Sequence, residues 1–187
     1  MKKRPIRKIV NSGEFNNGRD IIMGWCWHMP ARWTFEIPHI KELLDKYMGD
    51  YKGWADLFAG FNSPAEFTND LNPESPAQHH MNAMDYVDIL PDVLNGVLWD
   101  PPFSIHQLKV SYQNLGAKSS LPDDPTGTFV SVKDKLANKI IVGGYVISLG
   151  WSHNGFGMNR GFEKVEILDI DHGGGHNCTQ VTVEIKV

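Results

Sequence analysis

Asp100, Pro101, Pro102 and Phe103 stand directly after the apolar run Gly96-Val97-Leu98-Trp99. The run is too short for a helix and reads as a buried strand, which two prolines must open into a stiff loop. A carboxylate is thereby left at a strand end, next to carbonyl oxygens free to accept hydrogen bonds and next to a flat ring. Such a set suits a planar molecule with an exocyclic amino group. The oxygens take both amino hydrogens while Phe103 stacks on the ring. Without a ligand, the same four residues are a Pro-Pro turn after a core strand. A second set lies upstream, where Asp56, Phe58, Ala59 and Gly60 close a segment that begins at Lys52. Small residues there let the backbone approach a ligand closely, and Asp56 can accept from an ammonium group.

The elements that must hold these groups alternate between strand and helix patterns. Residues 1 to 20 carry turn chemistry in NSGEFNNG, and Trp25, Trp27, His28, Arg32 and Trp33 form an aromatic segment suited to core or lid packing, or to stacking on bases. Ile40, Leu43, Leu44 and Tyr47 repeat at helical spacing between Pro38 and Gly49, which predicts a helix covering one face of a sheet. Lys52 to Phe58 reads as a strand, Phe67 to Asn69 as a second, and a short helix from Pro76 leads to a third near 79 to 83. Leu90 to Leu94 returns the chain to the strand before Asp100. A helix is expected through Leu108, Val110, Tyr112 and Leu115, then a substrate or lid loop over 116 to 129 and a helix over 131 to 139. A strand over 143 to 150 follows, then the runs 162 to 170 and 179 to 187, read as a terminal β-hairpin around the turn His172-Gly-Gly-Gly-His176-Asn177.

With 187 residues the chain is long enough for a substantial core, and 41% hydrophobic against 21% charged residues is a globular balance. No apolar run approaches a membrane span and the basic start lacks an apolar leader, so the expectation is a cytoplasmic protein without a membrane partner. A formal charge of −4 runs against tight binding of duplex DNA through phosphates alone, although Lys2, Lys3, Arg4, Arg7 and Lys8 crowd at the start. Cys26 and Cys178 make neither a disulfide framework nor a CxxC pair, and neither follows a proline as the nucleophile of cytosine-C5 chemistry would. His153, His172, His176 and Cys178 lack the helical spacing of a zinc site and read better as polar turns, so no metal is expected.

The Asp100-Pro101-Pro102-Phe103 phrase resembles the catalytic motif of S-adenosylmethionine-dependent amino methyltransferases, the adenine-N6 and cytosine-N4 DNA enzymes. Asp56-Leu-Phe58-Ala59-Gly60 resembles their cofactor motif, with Asn62 in place of the usual second glycine. Asp70-Leu-Asn-Pro resembles their second motif, whose acid accepts from the ribose hydroxyls, and His80 to Val87 the third, with Asn82 aligned to the adenine contact and Asp85 as the alternative. In the phrases DPPFS…Q and HGGGHN the chain also resembles small methyltransferase-like proteins carried by bacteriophages and prophages. The resemblance spans about three quarters of the chain. It implies a doubly wound, mostly parallel, seven-stranded α/β sheet of the Rossmann-like methyltransferase type with a C-terminal antiparallel hairpin. The catalytic domain would be residues 51 to 187, after an extension and covering helix in 1 to 50. It further implies S-adenosylmethionine as cofactor and N6 of adenine in DNA as substrate, with RNA or a protein glutamine as alternative substrates and a non-catalytic cofactor-fold protein as the alternative class. In a doubly wound sheet ligands sit beyond the carboxyl ends of parallel strands. If the sixth strand is parallel, Trp151, His153, His172, His176 and Asn177 line the substrate entrance.

Overall fold

Val97, Leu98 and Trp99 are almost inaccessible to solvent, as an apolar run closed by Asp-Pro-Pro requires of a central strand. The computed structural model describes residues 6–11, 13–102 and 125–187. Its elements are β1 (Ile6–Asn11), β2 (Asp20–Trp27), α1 (Pro38–Met48), β3 (Trp54–Asp56), β4 (Phe67–Thr68), α2 (Ala83–Ile89), β5 (Leu94–Trp99), α3 (Pro125–Lys139), β6 (Ile140–Gly150), β7 (Phe162–Asp171) and β8 (Thr179–Lys186). The strands form one mixed sheet in the order β1-β2-β7-β8-β6-β5-β3-β4. β4, β3, β5 and β6 run parallel, and so do β2 and β7. β8 lies antiparallel between β6 and β7, and β1 is antiparallel to β2. Because β8 opposes both neighbours, β7 points the same way as β6, so the exits of β2, β3, β5, β6 and β7 share one edge.

This differs from a seven-stranded, mostly parallel sheet at its N-terminal end. Segments 6–11 and 20–27, read as turn and aromatic sequence, extend the sheet beyond β7, so the C-terminal hairpin is enclosed and β1 is the edge. All six residues of β1 are exposed, which leaves no buried-exposed alternation for a sequence pattern to show. The expected helix from Pro76 and third strand are reduced to a single parallel bridge between Asn69 and His79. α3 starts at Pro125, inside the segment read as loop, because proline at the first helical position costs no hydrogen bond. Phe103, the helix expected over 108 to 115 and residues 116 to 124 lie outside the described residues.

Two layers of helix cover the sheet. α1 spans the residues expected of it, with Pro38 in its first turn and Gly49 at φ 61° ending it. Its Ile40, Leu43 and Leu44 pack with Leu98, Ile147, Leu168, Ile170 and Cys26, and each buried aliphatic contributes roughly 1.5–3 kcal/mol. On the other face, Tyr86 and Val87 of α2 and Val132 and Leu136 of α3 pack with Val97, Trp99 and Val146. Among the described residues no helix is long and apolar enough to cross a membrane.

Candidate functional site

The sheet reverses its winding between β3 and β5. β4 lies to one side of β3 and β6 to the far side of β5, which makes the crevice beyond these two strand ends the favoured place for a ligand. Asp56 ends β3, and Asp100 follows the last residue of β5. Asp56 has no exposed surface. Its carboxylate accepts from Phe58 N at 2.9 Å and from Ser63 Oγ at 2.6 Å, so it shapes the loop from within. Burial pushes its carboxyl up to about 7 against these two hydrogen bonds, and the charge of Asp70 adds to the rise. Asp100 is also pushed up to about 7, first by burial and then by the charge of Asp56.

The loop after β3 is fixed by side chains. Asp70 Oδ2 accepts from Gly60 N and Oδ1 from Asn72 N, both at 2.8 Å, leaving each oxygen a second lone pair. Gly60 has φ 54° and open space where a Cβ would stand. Asn69, 1% exposed, donates to Leu57 O and Met81 O and accepts from Met81 N. This amide ties together the exits of β3 and β4 and the chain after His79. Asn82 is the N-cap of α2, its oxygen accepting from Met84 N, and Asp85 is exposed in that helix's first turn. Asn62 is half-buried in the crossover, and Ala59 is buried. Phe58 sets its ring edge-on to Trp99 at 5.2 Å and to Phe129 at 5.8 Å, at the junction with the second half of the site.

That second half is a cleft of about 300 Å³ whose walls include Trp99, Pro101, Pro102, Phe129, Lys133 and Trp151. Lys133 Nζ donates to Gly155 O at 2.9 Å and lies 5.3 Å from the Trp99 ring centre. Burial holds its pKa below the usual lysine value, with Glu184 opposing that shift. Fully buried Glu184 accepts from Phe156 N at 2.6 Å and Gly157 N at 3.0 Å, fixing the strap that returns from β6. A Cβ on Gly155 would stand 1.8 Å from the Glu184 carboxylate, so only glycine fits there.

The proposed entrance residues separate into two groups. Trp151 lines the cleft, while His153 turns aside to bond Asp169 Oδ1 through Nε2 at 2.7 Å. The turn after β7 lies on the same edge but three strands from β5, about 14 Å away at the spacing of a sheet. His172 is buried with both ring nitrogens engaged, Nδ1 with His28 O at 2.7 Å and Nε2 with Thr179 Oγ1 at 2.8 Å. A carbonyl only accepts, so Nδ1–H donates and, in the neutral ring, Nε2 accepts from the hydroxyl. His176 and Asn177 are exposed in the turn. Sequence reasoning passed over Lys133, Asn69 and Glu184. The first sits in a helical pattern and the second beside a more conspicuous acid, and the third is one acid in an alternating strand.

No family model matches the sequence, and no curated protein matches it. Solved structures do resemble it. SMU.776, assigned as a methyltransferase and solved in complex with SAH, aligns over 98% of this chain and 57% of its own, at 11% identity and a TM-score of 0.56. The protein yhhF from Escherichia coli, likewise assigned as a methyltransferase, aligns over 91% of this chain and 93% of its own, at 12% identity and a TM-score of 0.50. TrmN from Thermus thermophilus aligns over 80% of this chain and 49% of its own, at 16% identity and a TM-score of 0.49. The chain thus spans about half the length of TrmN and SMU.776. The likeness to SMU.776 and yhhF defines the fold as methyltransferase-like α/β, with a mixed sheet of eight strands among the described residues.

Proposed function

We propose that the chain is an S-adenosylmethionine-dependent methyltransferase acting on an exocyclic amino group, with N6 of adenine in DNA as its substrate. The observation that carries the reading is the meeting of two half-sites at the point where the sheet reverses. A glycine loop held by Asp70 follows β3, and Asp100-Pro101-Pro102 follows β5 beside an aromatic cleft. SMU.776, of the same fold, was solved with SAH.

The residues present fit this cofactor. Asp70 keeps an acceptor lone pair on each oxygen for ribose hydroxyls, the open side of Gly60 admits the nucleoside, and Asp70 and, once ionised, Asp100 favour a cation. Asp56 serves as the internal brace of the loop, and Asn82, whose oxygen caps α2, is the residue we assign to the adenine contact. S-adenosylmethionine supplies an electrophilic methyl group on a sulfonium sulfur. Ionised Asp100 and the Pro101 carbonyl accept the two amino hydrogens of the substrate, which localises the nitrogen lone pair for attack. Once the nitrogen had received the methyl group, Asp100 would take the proton that the nitrogen gives up. Phe103 would stack on the base, and reaching that base in a duplex requires flipping it out.

The test is transfer of labelled methyl from the cofactor to DNA, with Asp100→Ala as control. Full activity in that variant would remove Asp100 from the mechanism. The formal charge of −4 favours a second substrate reading, a protein glutamine, whose amide nitrogen fits the same acceptors. Parallel assays with DNA, RNA and cell-extract protein separate the two.

A further inference from the structure

The cleft beside Asp100 opens onto an aromatic strip that crosses the sheet. Gly150 of β6 is in register with Gln180 of β8, Gln180 with Asp169 of β7, and Asp169 with Trp25 of β2. Side chains alternate along a strand, and Cys26 belongs to the core under α1, so Trp25 and Trp27 face the opposite side, the side of Trp99 and α3. Trp25 is 48% exposed, Trp27 53% and Trp151, on the wall of the cleft, 47%. Isolated exposed tryptophans need no explanation, but two on one sheet face, in line with a third on the wall of a cleft, do. From Gly150 to Trp25 is three strand steps, about 14 Å, and Trp27 lies about 7 Å further along its strand. Between them the Asp169 carboxylate is covered by His153 at 2.7 Å.

Resting on the methyltransferase reading above, we infer that this strip is the track for an unpaired polynucleotide strand, whose bases stack on Trp151, Trp25 and Trp27 while one base enters the cleft. Stacking needs exposed base faces, which a duplex does not offer, and it tolerates any sequence. The chain is at −4 and the strip itself carries Asp169 and Asp171, so stacking, not phosphate contact, has to lead this binding. A run of about 14 Å holds about four nucleotides at duplex rise and fewer when the strand is stretched. An unpaired strand also removes the cost of flipping the target base. The β1–β2 extension is what completes the track, because it brings Trp25 and Trp27 into the sheet beside β7.

The experiment measures fluorescence anisotropy of labelled oligonucleotides of one sequence as a DNA strand, an RNA strand and a DNA duplex, with a polyanionic peptide as control. It uses the full chain and its Trp25→Ala, Trp27→Ala, Trp151→Ala and Trp25→Phe forms. The single strands bind at least tenfold more tightly than the duplex. Each alanine form weakens strand binding about tenfold or more, as loss of one base stack does, and Trp25→Phe retains most of it. DNA and RNA strands bound alike show stacking alone, and a difference between them shows an added contact to the sugar; both agree with the inference. Equal or tighter duplex binding, preference for the peptide, or alanine forms that bind as the parent does would overturn it. S-adenosylmethionine titration of the same proteins keeps two failures apart. Cofactor binding without strand preference refutes the track alone, and no cofactor binding refutes the methyltransferase reading.

Discussion

Replacing Asp56 by Asn tests whether the brace of the cofactor loop is a buried, protonated carboxyl. Asp56 has no solvent exposure, and burial raises it from 3.8 to about 7. Between those values the native state holds a proton that the unfolded chain has released. Stability from this group is therefore fully present below the unfolded value, falls as pH rises through about 7, and is level above it. At about 1.4 kcal/mol per pH unit, the whole window corresponds to about 4 kcal/mol, of which about 3 kcal/mol falls between about pH 5 and about pH 8. Asparagine keeps the size of the group, its oxygen can still accept from Phe58 N, and Ser63 can turn its hydroxyl to accept instead.

Urea unfolding followed by tryptophan fluorescence, at steps across that range, measures the difference. The parent loses stability toward high pH, and Asp56→Asn loses about 3 kcal/mol less. Groups that the substitution leaves untouched contribute equally to both proteins and cancel in the comparison. Asp100 does not cancel fully, because the Asp56 charge raises it in the parent, and this coupling adds to the difference in the same direction. Parallel stability curves for the two proteins would refute the buried protonated carboxyl and with it the account of the loop.

Asp100 must be ionised to accept amino hydrogens, so methyl transfer at low substrate should climb with pH through about 7 and level off above; a rate independent of pH there would detach the reaction from this carboxyl. Leu43→Ala empties a site 1% exposed between α1 and the sheet, and should cost about 2–5 kcal/mol in denaturant unfolding. Gly155→Ala forces a methyl against the Glu184 carboxylate and should cost about 1–3 kcal/mol or more, with a weakened cleft visible as a raised KM. Asn69→Ala removes three hydrogen bonds to backbone at buried or part-buried positions and should cost about 3 kcal/mol, while lowering cofactor affinity in calorimetry; a loss below about 1 kcal/mol would show that water replaces the amide.

The edge of the sheet was legible because its chemistry comes with punctuation. Asp56 stands before a glycine turn and Asp100 before two prolines, and each ends an apolar run, so the strand and the acid are read together. α1 was legible from its period and from Pro38 and Gly49. What escaped was structure made by partners distant in sequence. β3 is three residues, all buried, with no alternation to read, and β1 shows none because all its residues are exposed. β2 alternates clearly only over residues 24–27, and its tryptophans suit core or lid packing as readily as the outward face of a strand. The third strand was expected from its place in an order of motifs, and the chain supplies one bridge and the bonds of Asn69 instead.

That substitution has an electrostatic consequence for the ligand. In a dinucleotide fold the glycine turn opens a helix, whose free N–H groups and positive end receive a pyrophosphate. Here the residues from Leu57 to Glu66 contain no helix, and the N–H groups of Phe58 and Gly60 are consumed by Asp56 and Asp70. The loop therefore presents carboxylate where such a fold presents positive charge. A phosphate would meet repulsion from Asp70 with no helix end to offset it, whereas a ribose finds acceptors and a sulfonium finds a negative field. On the proposed function, the short crossover that removes the helix disfavours dinucleotides and suits a cationic nucleoside, and its rigidity comes from side chains of strand ends. Asp56, Asn69 and Asp70 each commit hydrogen-bonding capacity to the backbone, which on the proposed function leaves Asp100, with the cleft beside it, to face the substrate.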